Sequence, residues 1–301
     1  MDRANSFEQW LRARNYGDRT IEGHIRNVSY FMKWVEVEGY YEIENVSYND
    51  LLLYVQYEQG RGMDTSTINL RLGSITRYYD YVYESCEVTP ANGNPARSLR
   101  VRGKVQTVTR QPLRYEELEV LYEGYRSLRV EVPERLRKSA ERAHNRNVVV
   151  LGLMIWQGLH SGELDRLETG DIKLSEGKIR IPATGRSNER ELRLEAKQIL
   201  VLHGYLYGGL RDKLNPATEK LFPGRALDTV QHLLKELRGI NPQIQNASHI
   251  RASVLLHWLR QYNKRQVQYM AGHRYIDSTE KYAVQELDGL AKGLTRYHPF
   301  G

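Results

Sequence analysis

Apolar positions in the first third of the chain recur with the period of a helix. Phe7, Trp10 and Leu11 fall at i, i+3 and i+4, and behind Thr20 the residues Ile21, Ile25, Val28, Phe31, Met32 and Val35 repeat the stripe. Leu51 to Tyr57 predicts a third helix. A fourth opens at Thr65 or Ser66 and carries Ile68, Leu72, Ile75, Tyr78, Tyr79 and Val82 on one face. Pro90, Pro95 and Pro112 interrupt the periodicity between Val88 and Tyr115. It resumes over Tyr115 to Arg126. The charge-rich stretch Arg129 to Arg146 predicts a loop and the approach to a buried helix, Asn147 to Gln157. Lys178-Ile179-Arg180-Ile181-Pro182 alternates with strand period, turns through Ala183 to Asn188 and returns at Leu192-Arg193-Leu194, a hairpin or small antiparallel sheet. Helical patterning closes the chain at Ala196 to Tyr207, Asp228 to Leu237, Ser253 to Gln261 and Lys264 to Ala271. The predicted protein is mainly α, with a helical N-terminal domain at 1–93, a linker at 94–114 and a mixed α/β C-terminal domain at 115–301 that holds a small antiparallel sheet. A length of 301 residues suits two domains.

Charge narrows the partner. The chain has 44 basic against 37 acidic residues, a formal charge of +7, which points toward a polyanion. No apolar run approaches the ~20 residues of a spanning helix, so nucleic acid fits better than a membrane. Met1-Asp2-Arg3-Ala4-Asn5-Ser6 lacks the apolar core of a signal peptide, and the expected compartment is the cytoplasm. The single cysteine, Cys86, excludes an internal disulfide and a multi-cysteine metal site, and reads as a small buried hydrophobe. Val88 to Tyr115 contains no acidic residue but holds Arg97, Arg100, Arg102, Lys104, Arg110 and Arg114. Six positive charges without a negative one predict contact with a phosphate backbone, and Arg97, Arg100, Arg102, Lys104 and Arg110 are the candidate DNA contacts.

The last third suggests chemistry. Arg251 is followed by Gly272-His273 and, nine residues after the histidine, by Tyr282. A phenol has an ordinary pKa near ~10, so it loses its proton as it attacks phosphorus, and negative charge then collects on the non-bridging oxygens. A planar guanidinium meets two such oxygens at once. Arg251 is therefore the expected clamp, His273 a donor to the scissile phosphate and Tyr282 the nucleophile. No metal or other cofactor is expected.

These residues and others around them resemble a known family. Gly158-Leu159-His160-Ser161-Gly162-Glu163-Leu164 is similar to the segment bearing the first arginine of tyrosine recombinases of the phage-integrase and Xer-like kind. Ser248-His249-Ile250-Arg251 resembles their His-x-x-Arg segment, and Ala271-Gly272-His273 with Tyr282 their Leu-Gly-His to tyrosine spacing. Thr20-Ile21, Phe31, Trp34, Thr67-Ile68-Asn69 and Asn94-Pro95 are similar to the family's core-binding domain. Gly272 to Glu280 resembles mobile-element recombinases of the Bacteroidetes kind. The resemblance implies a SAM-like N-terminal domain and a catalytic domain of the DNA breaking-rejoining fold. It also implies a covalent 3'-phosphotyrosyl link at Tyr282, strand exchange through a Holliday junction, and four protomers assembled on paired sites of double-stranded DNA at the nucleoid. Two other readings stand beside it: relaxation of the type IB topoisomerase kind, and a DNA-binding relative that no longer cleaves.

Three positions depart from the family pattern. His160 stands where the first arginine belongs, Ser248 where the first histidine belongs, and the hairpin position of the lysine falls near Gly185 or Arg186. Protonated His160 could serve as a weaker clamp, raising activity as pH falls from about 8 toward 6, or it could have a structural role beside Glu163. Ser248 is expected to donate a hydroxyl, because His249 would face another side of the helix from Arg251. Arg186 would act electrostatically on the leaving 5'-oxygen, since a guanidinium scarcely deprotonates. The apolar stripe Leu287, Leu290, Leu294 and Tyr297 packs on its own domain or docks on a neighbouring protomer.

Overall fold

The computed structural model describes residues 3–39, 43, 46–85, 93–102, 111–128, 132–185, 187–208 and 218–282. The chain divides into two compact units, Met1–Gln106 and Thr107–Gly301. Cys86, Lys104, Arg110, Arg186 and the stripe from Leu287 to Tyr297 lie outside the described residues.

The first unit contains four helices among the described residues: α1 (Arg3–Ala13), α2 (Asp18–Val37), α3 (Tyr48–Gly60) and α4 (Thr65–Ser85). The predicted stripes supply its core, with Phe7, Leu11, Ile21, Phe31, Ile68, Leu72 and Ile75 all buried. Ser47 caps α3, its backbone N–H donating to Asp50 at 2.8 Å while its hydroxyl accepts from the Asp50 N–H, and Asp64 accepts from the Thr67 N–H at 2.8 Å at the start of α4. Residues beyond the helices also belong to this unit. Asn94 donates to the Thr76 carbonyl at 2.9 Å, Asn69 and the Val101 backbone exchange two hydrogen bonds of 2.9 Å, and Ala96 is buried. Arg97 pairs with Asp80 at 2.8 Å, while Arg100 and Arg102 are exposed.

The second unit is built on α6 (Glu134–Trp156), whose residues from Asn147 to Trp156 are all buried. The expected loop before Asn147 is helical from Glu134. The first half of this helix is solvent-facing and carries the charges, so its apolar signal begins only where it enters the core. Around it pack α5 (Tyr115–Arg126), the short α7 (Ser161–Leu164), α8 (Ala196–Tyr207), α9 (Ala226–Ile240), α10 (Ala247–Gln261) and α11 (Lys264–Ala271). The predicted hairpin is joined by a third strand. β1 (Ile172–Lys173), β2 (Lys178–Ile181) and β3 (Arg190–Arg193) form an antiparallel sheet in the order β1-β2-β3. Its register sets Ile179 opposite Leu192 and Ile181 opposite Arg190, and both isoleucines are fully buried. No helix among the described residues is long and apolar enough to cross a membrane.

Candidate active site

The site grows around one buried carboxylate. Glu163 lies in α7 and is fully buried, with its two oxygens turned to different cations. Its Oε1 accepts from Arg190 Nη1 at 2.7 Å, and Oε2 faces Arg251 Nη1 at 3.5 Å and accepts the backbone N–H of His160 at 3.1 Å. Burial pulls the Glu163 pKa upward, but the Arg190 hydrogen bond and the charges of Arg190 and Arg251 outweigh it and leave the group below the usual carboxylate range. Glu163 is therefore an anion.

Arg251 is fixed by backbone. It sits on α10, whose first turn is capped by Asn246 accepting from the His249 N–H at 2.9 Å. Its Nη1 donates to the Gly158 carbonyl and its Nη2 to the Ala271 carbonyl at 2.7 Å, so the guanidinium bridges the turn before α7 and the end of α11. Burial lowers its pKa from the ordinary value, and the nearby Arg190 charge acts in the same direction. Among the described residues these bonds leave the Nε–H and one Nη2–H of Arg251 for a ligand.

Gly272 ends α11 in the left-handed conformation at φ +70°, and the chain then turns back to present His273. The Gly272 carbonyl accepts from the Asn188 N–H at 2.8 Å, and Ser187 and His273 form an antiparallel bridge, so the end of the hairpin turn is fastened beside the histidine. His273 Nδ1 lies 2.8 Å from the hydroxyl of the fully buried Thr279. Residues 277–282 are helical and bring the Tyr282 ring parallel to that of His273, with centroids 6.1 Å apart and planes at 9°. Burial, followed by the charges of Arg251 and Arg190, pushes the His273 pKa down to about 4. At neutral pH His273 is an uncharged imidazole beside two guanidinium groups.

Comparison with known proteins identifies the architecture. The model of the phage integrase family matches residues 126–287, over half of the chain, and that of the phage integrase N-terminal SAM-like domain matches residues 4–85. The chain belongs to the phage integrase family. As such it is a tyrosine-type site-specific recombinase, an enzyme of DNA strand transfer. The tyrosine recombinase XerC of Bacillus pumilus is 25% identical over 311 residues, which cover 97% of this chain and 95% of the relative. The TnP I resolvase of Bacillus thuringiensis is 20% identical over 210 residues, covering 68% and 67%. Among solved structures, XerH site-specific recombinase bound to a palindromic difH substrate aligns with a TM-score of 0.69 at 19% identity, over 93% of this chain and 81% of that one. The Tn1549 transposon integrase in complex with transposon right end DNA aligns at 0.66 and 16% identity, over 99% of both. These relatives do not favour a topoisomerase or a non-cleaving DNA-binding protein.

The structure of this integrase-family chain sets Arg251 and His160 against Glu163 and stacks Tyr282 on His273, two residues beyond the Ala271 carbonyl that Arg251 binds. His160 has the structural role left open by the sequence. Its Nδ1 accepts the N–H groups of Gly162 at 3.0 Å and Glu163 at 3.2 Å, capping α7, with Nε2 3.6 Å from Glu163 Oε2. A nitrogen that accepts two donors carries no proton, which opposes its use as a cationic clamp. Ser248 is exposed on the first turn of α10, on the same side as Arg251 at i, i+3. His249 is buried, and its Nε2 faces the Gln111 carbonyl at 3.1 Å. The sequence reading passed over Arg190. Its signal was present in the strand alternation, because Arg190 shares the parity of Leu192 and Leu194 and so falls on the inner face of β3.

Proposed function

We propose that Tyr282 attacks the scissile phosphodiester, forming a covalent 3'-phosphotyrosyl bond as the P–O bond to the 5'-oxygen breaks and that oxygen takes a proton from water, and that the reverse attack by the resulting 5'-hydroxyl rejoins the strand. Arg251 holds the non-bridging oxygens and stabilises the charge that develops on them. His273, neutral at working pH, donates a hydrogen bond to the scissile phosphate, and the phenolic proton of Tyr282 passes to water. Ser248 donates its hydroxyl, and Arg186 meets the leaving oxygen. Arg97, Arg100, Arg102, Lys104 and Arg110 hold the DNA backbone. Partners are double-stranded DNA and three further copies of the chain on paired sites, and the place of action is the nucleoid in the cytoplasm.

One observation carries the reading: Tyr282 and His273 stack beside an arginine held by three protein oxygens. The test uses a duplex selected from random-sequence DNA by covalent capture with the unaltered protein, nicked near the cleaved phosphate so that the short product diffuses away. The protein should form an adduct that resists denaturant, and Tyr282→Phe should bind the same duplex without forming it. An adduct that persists in Tyr282→Phe assigns the nucleophile elsewhere, and binding with no adduct in either protein returns the non-cleaving reading.

A further inference from the structure

Arg190 has a feature that the ion pair with Glu163 does not explain. Its side chain is fully buried, Nε donates to the Met270 carbonyl at 2.7 Å and Nη1 to Glu163, but Nη2 is buried with no hydrogen-bond partner among the described residues. A guanidinium nitrogen left without an acceptor forgoes the strongest hydrogen bonds a protein makes. The surroundings are shaped to hold it there. Gly272 lies against the guanidinium so closely that a Cβ at that position would overlap Nη1 and come within 2.9 Å of Cζ. The charge is felt across the site, since Arg190 lowers the pKa of both Arg251 and His273. His160, where the family's first arginine would stand, is spent on capping α7 and supplies no fixed charge.

We propose that Arg190 is the second permanent cation of the phosphate site, and that its unpaired Nη2 is the donor reserved for a non-bridging oxygen of the scissile phosphate. This rests on the reading of Tyr282 as nucleophile. The guanidinium reaches the site from β3 instead of from the turn before α7, and Glu163 orients it and Arg251 as a pair. As the Tyr282 oxygen bonds to phosphorus and the 5'-oxygen departs, Arg190 neither gives nor accepts a proton. It answers the charge that the pentavalent phosphorus accumulates. In the free protein Nη2 is shielded from solvent and engages when the bound phosphate displaces what covers it.

The experiment measures single-turnover adduct formation on the nicked duplex, made once with an ordinary scissile phosphate and once with an uncharged methylphosphonate there. Arg190→Met should slow cleavage of the phosphate by about 10²- to 10³-fold, the usual effect of losing one oxyanion donor, with DNA affinity nearly unchanged. The loss should shrink to within about tenfold on the methylphosphonate, which has less charge to neutralise. His160→Arg added to Arg190→Met should recover part of the lost rate. Arg190→Lys keeps a charge opposite Glu163 and secures folding; it should show the same dependence on phosphate charge at a smaller amplitude, because an ammonium lacks the fork. An equal loss on both substrates in Arg190→Lys and Arg190→Met would make Arg190 a purely structural partner of Glu163, and an unchanged rate would remove it from the reaction. Adduct formation by the unaltered protein, and its loss in Tyr282→Phe, report on the nucleophile independently of these outcomes.

Discussion

Each of the two units buries an arginine against a glutamate, and the two clusters do different things. In the helical unit Arg71 meets Glu58, their side chains 10% and 1% exposed, and the guanidinium lies 4.8 Å from the centre of the Tyr30 ring. One buried base faces one buried acid; Arg61 reaches Glu58 only from the solvent side, at 3.6 Å. In the mixed α/β unit a single carboxylate serves two buried guanidinium groups, with side-chain exposures of 0% for Arg190 and 11% for Arg251. The leftover atoms differ in sign too. Among the described residues the first cluster leaves an acceptor, Glu58 Oε2, and the second a donor, Arg190 Nη2. Buried pairs are poor sources of stability in general, because desolvation offsets their attraction. A balanced pair fixes packing. An unbalanced one with a spare donor has positive charge left over, which the proposed pentavalent phosphorane would use.

The sharpest way to break the comparison is to remove what the charge serves. Tyr282→Phe should abolish covalent adduct formation while leaving thermal stability and DNA binding intact, since only a hydroxyl at the edge of the core is lost. Arg251→Ala should slow adduct formation by about 10²- to 10³-fold. Arg190 remains opposite Glu163 in that variant, so no buried charge is stranded, and the unfolding temperature should fall only by what the lost bonds to the Gly158 and Ala271 carbonyls cost, about 1–3 kcal/mol. A large drop in stability with an unchanged rate per folded molecule would make Arg251 a scaffold residue like Arg71.

The next test sets the two glutamates side by side. Breaking a buried ion pair by removing one partner costs about 3–5 kcal/mol, so Glu58→Gln and Glu163→Gln should both lower the unfolding temperature in a calorimetric scan. Their kinetics should part. Glu58→Gln should leave the rate of adduct formation per folded molecule unchanged, whereas Glu163→Gln frees two guanidinium groups to repel each other and should lower it. Equal kinetic effects from the two substitutions would erase the distinction drawn here.

Legibility followed the same division. Periodic apolar stripes predicted α5, α8 and α11 at their observed limits, because those helices bury one face and expose the other. The start of α6 was hidden, since its charged half lies in solvent and carries no stripe. Arg251, His273 and Tyr282 stood out as candidates because a resemblance fixed their spacing. Arg190 was not. A strand of four residues gives alternation too little room, and a charged residue on a core-facing position reads as exposed until the Glu163 that neutralises it is placed. The role of His160 was hidden for a related reason, because a side chain that caps a helix is recognised from φ, ψ and the direction of its ring nitrogen, −98° and 163° here, and not from composition.

The mildest prediction concerns pH, where the two histidines of the site argue against a rise in activity on acidification. His273 binds its proton in the folded protein at about pH 4, against an ordinary value of 6.5. Above pH 6.5 it is neutral in both folded and unfolded chains and contributes nothing to the pH dependence of stability. As pH falls from 6.5 toward 4 the unfolded chain takes up the proton first, so stability declines through that window, and the decline ends once the folded protein is protonated too. His160 caps α7 through Nδ1, so its cationic form would have to give up the two N–H groups it accepts. Single-turnover cleavage at subsaturating DNA, which reports ionisations of the free protein, should therefore be flat between about pH 8 and 6 as far as these two groups are concerned, and should fall as pH 4 is approached. His160→Asn, which preserves a cap acceptor, should keep the same flat profile. A rate that climbs toward pH 6 in the unaltered protein and stays level in His160→Asn would restore the imidazolium as a phosphate clamp and take from Arg190 the reason for its second charge.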